Sequence, residues 1–354
     1  MGDNPRFHRG FRPRSGVDTG GTGHVTFCSL CTPSRPLRSV PLVASAPLSQ
    51  VAPVRATAPE TPFFFDVNGF PVYAVHHAPV PGRTDAPVVV HVHGLGVEQI
   101  TLYRQEVLCA RAAAAAGFPV LRYHARGHGD SAGASADVTL ASLVADARAA
   151  ADEAKRRSGA TRVIWLGVRL GALVAALAGG PTSDRDDAAG FIFWEPIAKP
   201  AEFFRQQLRT LLFSQVAGGK KPDSTVDQLL VRLENEGSID VLGYALYRSL
   251  VHSFGDVTLA AALDGPHAPV CLAQVQARGR LAPAHVALIG ALQGTPNHAP
   301  AEASGSDRVN GDSSHTQVAT ANIQQEPGYQ EMSNPAWQCD ALTQVTLEWL
   351  DALA

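Results

Sequence analysis

Arg162-Val163-Ile164-Trp165-Leu166-Gly167-Val168-Arg169-Leu170-Gly171-Ala172-Leu173-Val174-Ala175-Ala176-Leu177-Ala178 decides the fold. Its first five residues form a run of strand length that is apolar, β-branched and aromatic after Arg162, and its last nine form an Ala/Leu-rich helix over 170–178. Glycines at 167 and 171 flank a turn too tight for side chains at both positions. Such a strand-turn-helix unit is the repeating piece of a parallel sheet, and the flanking sequence repeats it. Upstream lie a hairpin over 63–67 and 72–76 turning at Asn68-Gly69, a strand over 88–92, a helix over 99–116, a strand over 118–123 and a helix over 138–157. Downstream lie strands at 191–194 and 269–275 and an amphipathic helix over 336–352. Near-continuous apolar strands separated by helices require a sheet covered on both faces, so the fold class is a doubly wound, mostly parallel α/β sheet.

Four segments follow from composition. Residues 1–60 carry seven arginines with many Pro, Ser and Gly and no hydrophobic period, which reads as a disordered basic tail. The apolar stretch Pro41-Leu42-Val43-Ala44 is too short for a secretory signal, so the location expected is cytoplasmic, with an organellar transit peptide the alternative. The core then runs over 61–196, a helical cap rich in Leu, Phe, Arg and Gln over 197–265, and the second part of the core over 266–354. Within that last part, 294–316 is a polar, Gly/Ser/Pro-rich flexible insertion. The 354 residues carry 29 Lys plus Arg against 32 Asp plus Glu, a net charge of -3, which gives no electrostatic reason to expect a nucleic-acid partner. No run of about 18 apolar residues exists to span a bilayer. Five cysteines, odd and sparse, argue against a disulfide scaffold. Nothing in the sequence sets the oligomeric state.

Three loops follow successive strands: His93-Gly94-Leu95-Gly96, Arg126-Gly127-His128-Gly129-Asp130-Ser131 and Gly167-Val168-Arg169-Leu170-Gly171. With these in this order, the chain resembles the α/β-hydrolase superfamily, in its serine aminopeptidase and lysophospholipase branch, over residues 63–352. More narrowly it is similar to the exosortase A system-associated hydrolases of the second type, which accompany exopolysaccharide gene clusters in bacteria. The residues carrying that narrower likeness are the elbow Gly167 to Ala172, Phe193-Trp194-Glu195-Pro196-Ile197 and Ile239-Asp240-Val241-Leu242-Gly243-Tyr244. The resemblance implies a hydrolase of ester or acyl bonds, with an oxyanion hole built around His93, Gly94, Leu95 and Leu170.

The elbow itself contradicts simple catalysis. Its centre is Arg169, and a guanidinium, protonated at all physiological pH, is no nucleophile. Where the resemblance implies the acid stand Gln276, Ala277 and Arg278, and where it implies the histidine stands Pro327-Gly328-Tyr329. Glu195, just after a strand, is a possible acid, since some relatives carry theirs there. Ser131 reads as a turn residue bonded to backbone, and His298 and His315 as solvated loop residues. Cys109 and Cys271 read as small buried hydrophobes.

Arg169, beside the amides of a helix start and the loop at Gly94, would make an anion-binding corner; the alternative is an ion pair with Glu195 or Asp130 that closes a dead pocket. His91 and His93, two apart, share one face of a strand, but no third ligand is suggested by spacing, and Cys28-Ser29-Leu30-Cys31 has no second pair, so no metal and no cofactor are assigned. Three functions remain open: a hydrolase with a degenerate triad and little serine-type activity, a non-catalytic protein holding an acyl or anionic small molecule, and an acyl-transfer enzyme whose nucleophile comes with the substrate.

Overall fold

Nine strands make one sheet in the computed structural model, which describes residues 24–27, 58–265, 268–293, 317–330 and 336–354. In chain order they are β1 (His24–Phe27), β2 (Glu60–Val67), β3 (Phe70–His77), β4 (Val88–Val92), β5 (Val120–Tyr123), β6 (Val163–Val168), β7 (Ala188–Trp194), then β10 (Val270–Val275) and β11 (Val318–Gln324). The spatial order is β1-β11-β10-β7-β6-β4-β5-β3-β2. The strands from β11 to β5 are all parallel; β1, at one edge, runs antiparallel to β11, and β3, beside β5, runs antiparallel to it.

Strand alternation sorts the core into two layers. Val88, Val90 and Val92 of β4 face one side with Trp165 of β6, under helices α2 (Leu140–Ser158) and α3 (Gly171–Gly179). Val89, Ile164 and Leu166 face the other, under α1 (Val97–Ala115) and α9 (Asp340–Leu353). All six residues of β6 are buried, as a central parallel strand requires. Helix α2 begins at a reciprocal cap, Thr139 accepting from the Ser142 amide and Ser142 accepting from the Thr139 amide, and ends at Gly159 with φ 75°.

Between β7 and β10 the chain forms the cap: α4 (Pro200–Ala217), α5 (Val226–Glu236), the hairpin β8 (Ser238–Val241) and β9 (Tyr244–Tyr247), α6 (Arg248–Phe254) and α7 (Leu259–Ala262). The hairpin departs from the all-helical expectation. Ile239 and Val241 are buried around exposed Asp240, a period of two, and Leu242 and Gly243 both take positive φ in the turn. Helix α8 (Pro283–Leu292) was not anticipated either, and nor was β1, the only described part of residues 1–57. The insertion 294–316, with His298 and His315, lies outside the described residues, as do Cys28 and Cys31. Among the described residues no helix is long and apolar enough to cross a membrane.

Candidate active site

The elbow after β6 has the backbone its glycines foretold. Arg169 adopts φ 55°, a left-handed conformation that costs a non-glycine residue about 1–2 kcal/mol. The turn is held from both sides: the Arg169 amide donates to Trp194 O at 2.9 Å, and Arg169 O accepts from Ala172 and Ile197 amides at 3.2 and 3.3 Å. Gly171 and Gly167 have no room for a side chain. A Cβ on Gly171 would collide with the Val92 and His93 carbonyls, and one on Gly167 with the Ala172 backbone.

The Arg169 side chain turns inward and is almost wholly buried. Its Nε and Nη2 each lie 3.0 Å from Glu98 Oε1, Nη1 donates to Glu195 O at 3.0 Å, and Nη2 reaches Gln206 Oε1 of the cap at 3.4 Å. The Tyr329 ring lies 5.7 Å from its guanidinium carbon. Burial, the largest single influence, would ease the proton off Arg169, but Glu98, Tyr329 and Glu195 together outweigh it and raise the pKa, so the guanidinium stays charged. The partner expected for Arg169 was the carboxylate of Glu195 or Asp130. Instead it is Glu98, at the start of α1, because the loop His93-Gly94-Leu95-Gly96 delivers the first turn of that helix onto the elbow. Asp130 is exposed and lies beside His124. Gly94 packs against both partners, a Cβ there meeting Glu98 Cβ at 3.4 Å and Arg169 Cβ at 3.7 Å, ordinary contact distances. The corner read as an anion site is therefore filled by the chain's own carboxylate, and each of the three guanidinium nitrogens has an internal partner.

Glu195, also at positive φ (48°), follows β7 with its carboxyl buried. Its Oε1 accepts from the Val275 amide, and Tyr329 hydrogen-bonds it. Burial dominates these and the nearby Arg169, and the carboxyl is pushed up to about 7. His285 of α8 stands close by, bonding Gln274 Oε1 through Nδ1 and Pro196 O through Nε2 at 3.2 Å; burial lowers it to about 4. Around the elbow the structure thus brings together the buried Arg169-Glu98 pair, Glu195, Tyr329 and His285.

A cavity of about 670 Å³ opens on the other side of the loop, roofed by the cap. Leu95 and Val97 form its floor, Phe203, Phe204, Leu246 and Leu250 its roof, and Tyr103, His124 and His128 its polar wall. Arg169 and Leu170 do not line it; Leu170 is fully buried. His124 Nδ1 accepts from the Asp130 amide at 3.2 Å, which places its proton on Nε2. His128 Nδ1 bonds Arg126 O at 3.0 Å. Ser131 is a tie rather than a nucleophile, donating to His124 O at 2.6 Å and accepting from the Tyr73 amide at 2.8 Å. Cys109 and Cys271 are buried, and burial pushes the Cys109 thiol up to about 12 and Cys271 higher.

His93 does not present itself to the cavity. Its Nδ1 bonds Glu106 Oε2, a buried carboxylate of α1, and the His91 ring lies tilted beside it with centroids 5.3 Å apart. Sequence spacing suggested no third group near the two histidines; Glu106, carried in by α1, is that group.

A parallel sheet with an antiparallel hairpin edge, an elbow after its central strand and a cap over the strand ends define the α/β-hydrolase fold. Residues 84–240 match the family model for serine aminopeptidase, S33. Among solved structures, Est1E from Butyrivibrio proteoclasticus with bound ferulic acid is similar at a TM-score of 0.51 and 18% identity, over 82% of this chain and 99% of that one. The hypothetical protein PA2218 from Pseudomonas aeruginosa is similar at 0.53 and 12%, over 89% and 100%. DcsB in complex with its substrate analogue is similar at 0.52 and 11%, over 83% and 99%. No curated protein matches the chain.

Proposed function

We propose that this chain is an α/β-hydrolase-fold binding protein that holds an acyl ligand in the cavity under the cap and carries out no serine-type hydrolysis. The observation that carries this reading is Arg169 at the elbow, locked to Glu98: the atom that should attack is a guanidinium, and the space before it is filled. The cavity supports the ligand class, because its walls are mainly apolar with a few polar groups at one side, the pattern of a small-molecule site. The likeness to exosortase-associated hydrolases supports a place in bacterial exopolysaccharide or protein-sorting pathways.

The second reading is hydrolysis of ester or acyl bonds. The match to the serine aminopeptidase model favours it, as does a structural neighbour described as binding ferulic acid. One set of measurements separates the two. The purified chain is offered short- and medium-chain p-nitrophenyl esters and acyl thioesters, labelled with a fluorophosphonate, and titrated with medium-chain fatty acids against a fluorescent hydrophobic probe. Saturable displacement with no turnover and no label is the expected result, with displacement lost in Leu246→Arg, which puts a charge into the cavity. Turnover above the blank, with or without labelling, would sink the binding reading.

A further inference from the structure

We propose that His91, His93 and Glu106 form a binding site for one divalent transition-metal ion of the zinc class, set between β4 and α1. His91 and His93 project from the same face of the strand that carries Val89 toward α1, and α1 brings Glu106 across them. One ligand atom from each residue lies within 4.8 Å of the others. The three are 1%, 7% and 0% exposed, so solvent does not satisfy them.

The second observation is what these residues lack. Both ring nitrogens of His91, Nε2 of His93 and Oε1 of Glu106 are buried with no hydrogen-bond partner. Buried polar atoms are ordinarily paired, and here each imidazole has one lone-pair nitrogen and the carboxylate one free oxygen to give, which calls for a partner that accepts lone pairs. A cation does this, and two imidazoles with one carboxylate are a donor set that zinc, cobalt(II) and iron(II) share. Arg122, a positive charge felt by both His91 and Glu106, is turned elsewhere, with Nε on His77 Nε2 at 3.1 Å and its guanidinium over the Tyr103 ring. Three protein ligands leave one position open in a tetrahedral site, and the ion would pin α1 to β4 directly beneath the loop that floors the cavity.

The test uses the full chain, stripped with a chelator and titrated with Zn²⁺ against a chromophoric competitor, then with Co²⁺ read by visible absorption. Cys28 and Cys31 could bind zinc themselves, so a Cys28→Ser/Cys31→Ser variant is titrated alongside. We expect one equivalent of Zn²⁺ in the wild type and in the cysteine variant. Affinity should fall in His91→Asn and Glu106→Gln by more than the roughly tenfold that even outer-shell changes cost. Should those variants fail to fold, the cobalt spectrum of the wild type decides: nitrogen and oxygen ligation without a thiolate charge-transfer band supports the site. No zinc bound by the wild type, binding lost with the cysteines, a thiolate band, or a folded Glu106→Gln that binds as the wild type does would each overturn it.

Discussion

An arginine at the centre of a strand-to-helix elbow meets two costs at once, a left-handed backbone and a buried charge, and Glu98 answers the second. Removing one member of a buried pair typically costs about 3–5 kcal/mol, while replacing both with apolar residues can be nearly neutral. The two single variants differ in how they relax. Glu98→Leu strands a guanidinium that cannot give up its proton, so its loss in urea unfolding should be close to constant with pH. Arg169→Met strands a carboxyl that burial already raises above its usual range; it can neutralise, so the variant should be hurt more at pH 8 than at pH 5. The double variant Glu98→Leu/Arg169→Met should cost less than either single change, and simple additivity of the two losses would disprove the pairing. That Arg169 is no nucleophile was readable from one residue type. Its partner was not: Glu98 stands 71 positions away, and only the loop geometry at Gly94 to Gly96 brings it there. Glu106 escaped for the same reason, since spacing reveals neighbours on one element and not across two.

Packing between elements sets how much the elbow can tolerate. Helix α3 starts against the end of β4, and Gly171 is the point of contact with the Val92 and His93 carbonyls. Gly171→Ala should therefore destabilise despite alanine's better helix propensity, by the roughly 1–3 kcal/mol typical of overpacking. Because the displaced carbonyls belong to the strand leading into the cavity floor, fatty-acid affinity should fall with it; a variant as stable as the wild type would mean the helix can shift without strain. At this scale the sequence was most legible where period and glycine agree, as in β4, β6 and α2. It was least legible in the cap, where a leucine-rich stretch hid the alternation of Ile239 and Val241 and the positive φ of Leu242. Helix α8 is short and begins at a proline in its first turn, leaving only ten residues in which to read a period.

Across the whole molecule, a carboxyl sunk into the core beside the elbow gives the fold a pH dependence. In a working triad the acid must be ionised to hold a histidine; Glu195 has Val275 and Tyr329 as partners, and burial holds its carboxyl near 7 rather than its ordinary 4.5. Between those values the folded chain keeps a proton that the unfolded chain gives up. Stability from this group is therefore fully present below about pH 4.5 and is lost as pH rises through about 7, by at most roughly 3 kcal/mol. Glu195→Gln keeps the oxygen that accepts from the Val275 amide and removes the ionisation. Its stability relative to the wild type should accordingly rise from pH 5 to pH 8, read as the difference between the two unfolding midpoints in urea at each pH. A constant difference across that range would mean that Glu195 is already ionised in the folded chain and that Arg169, only a carbonyl away, holds it so.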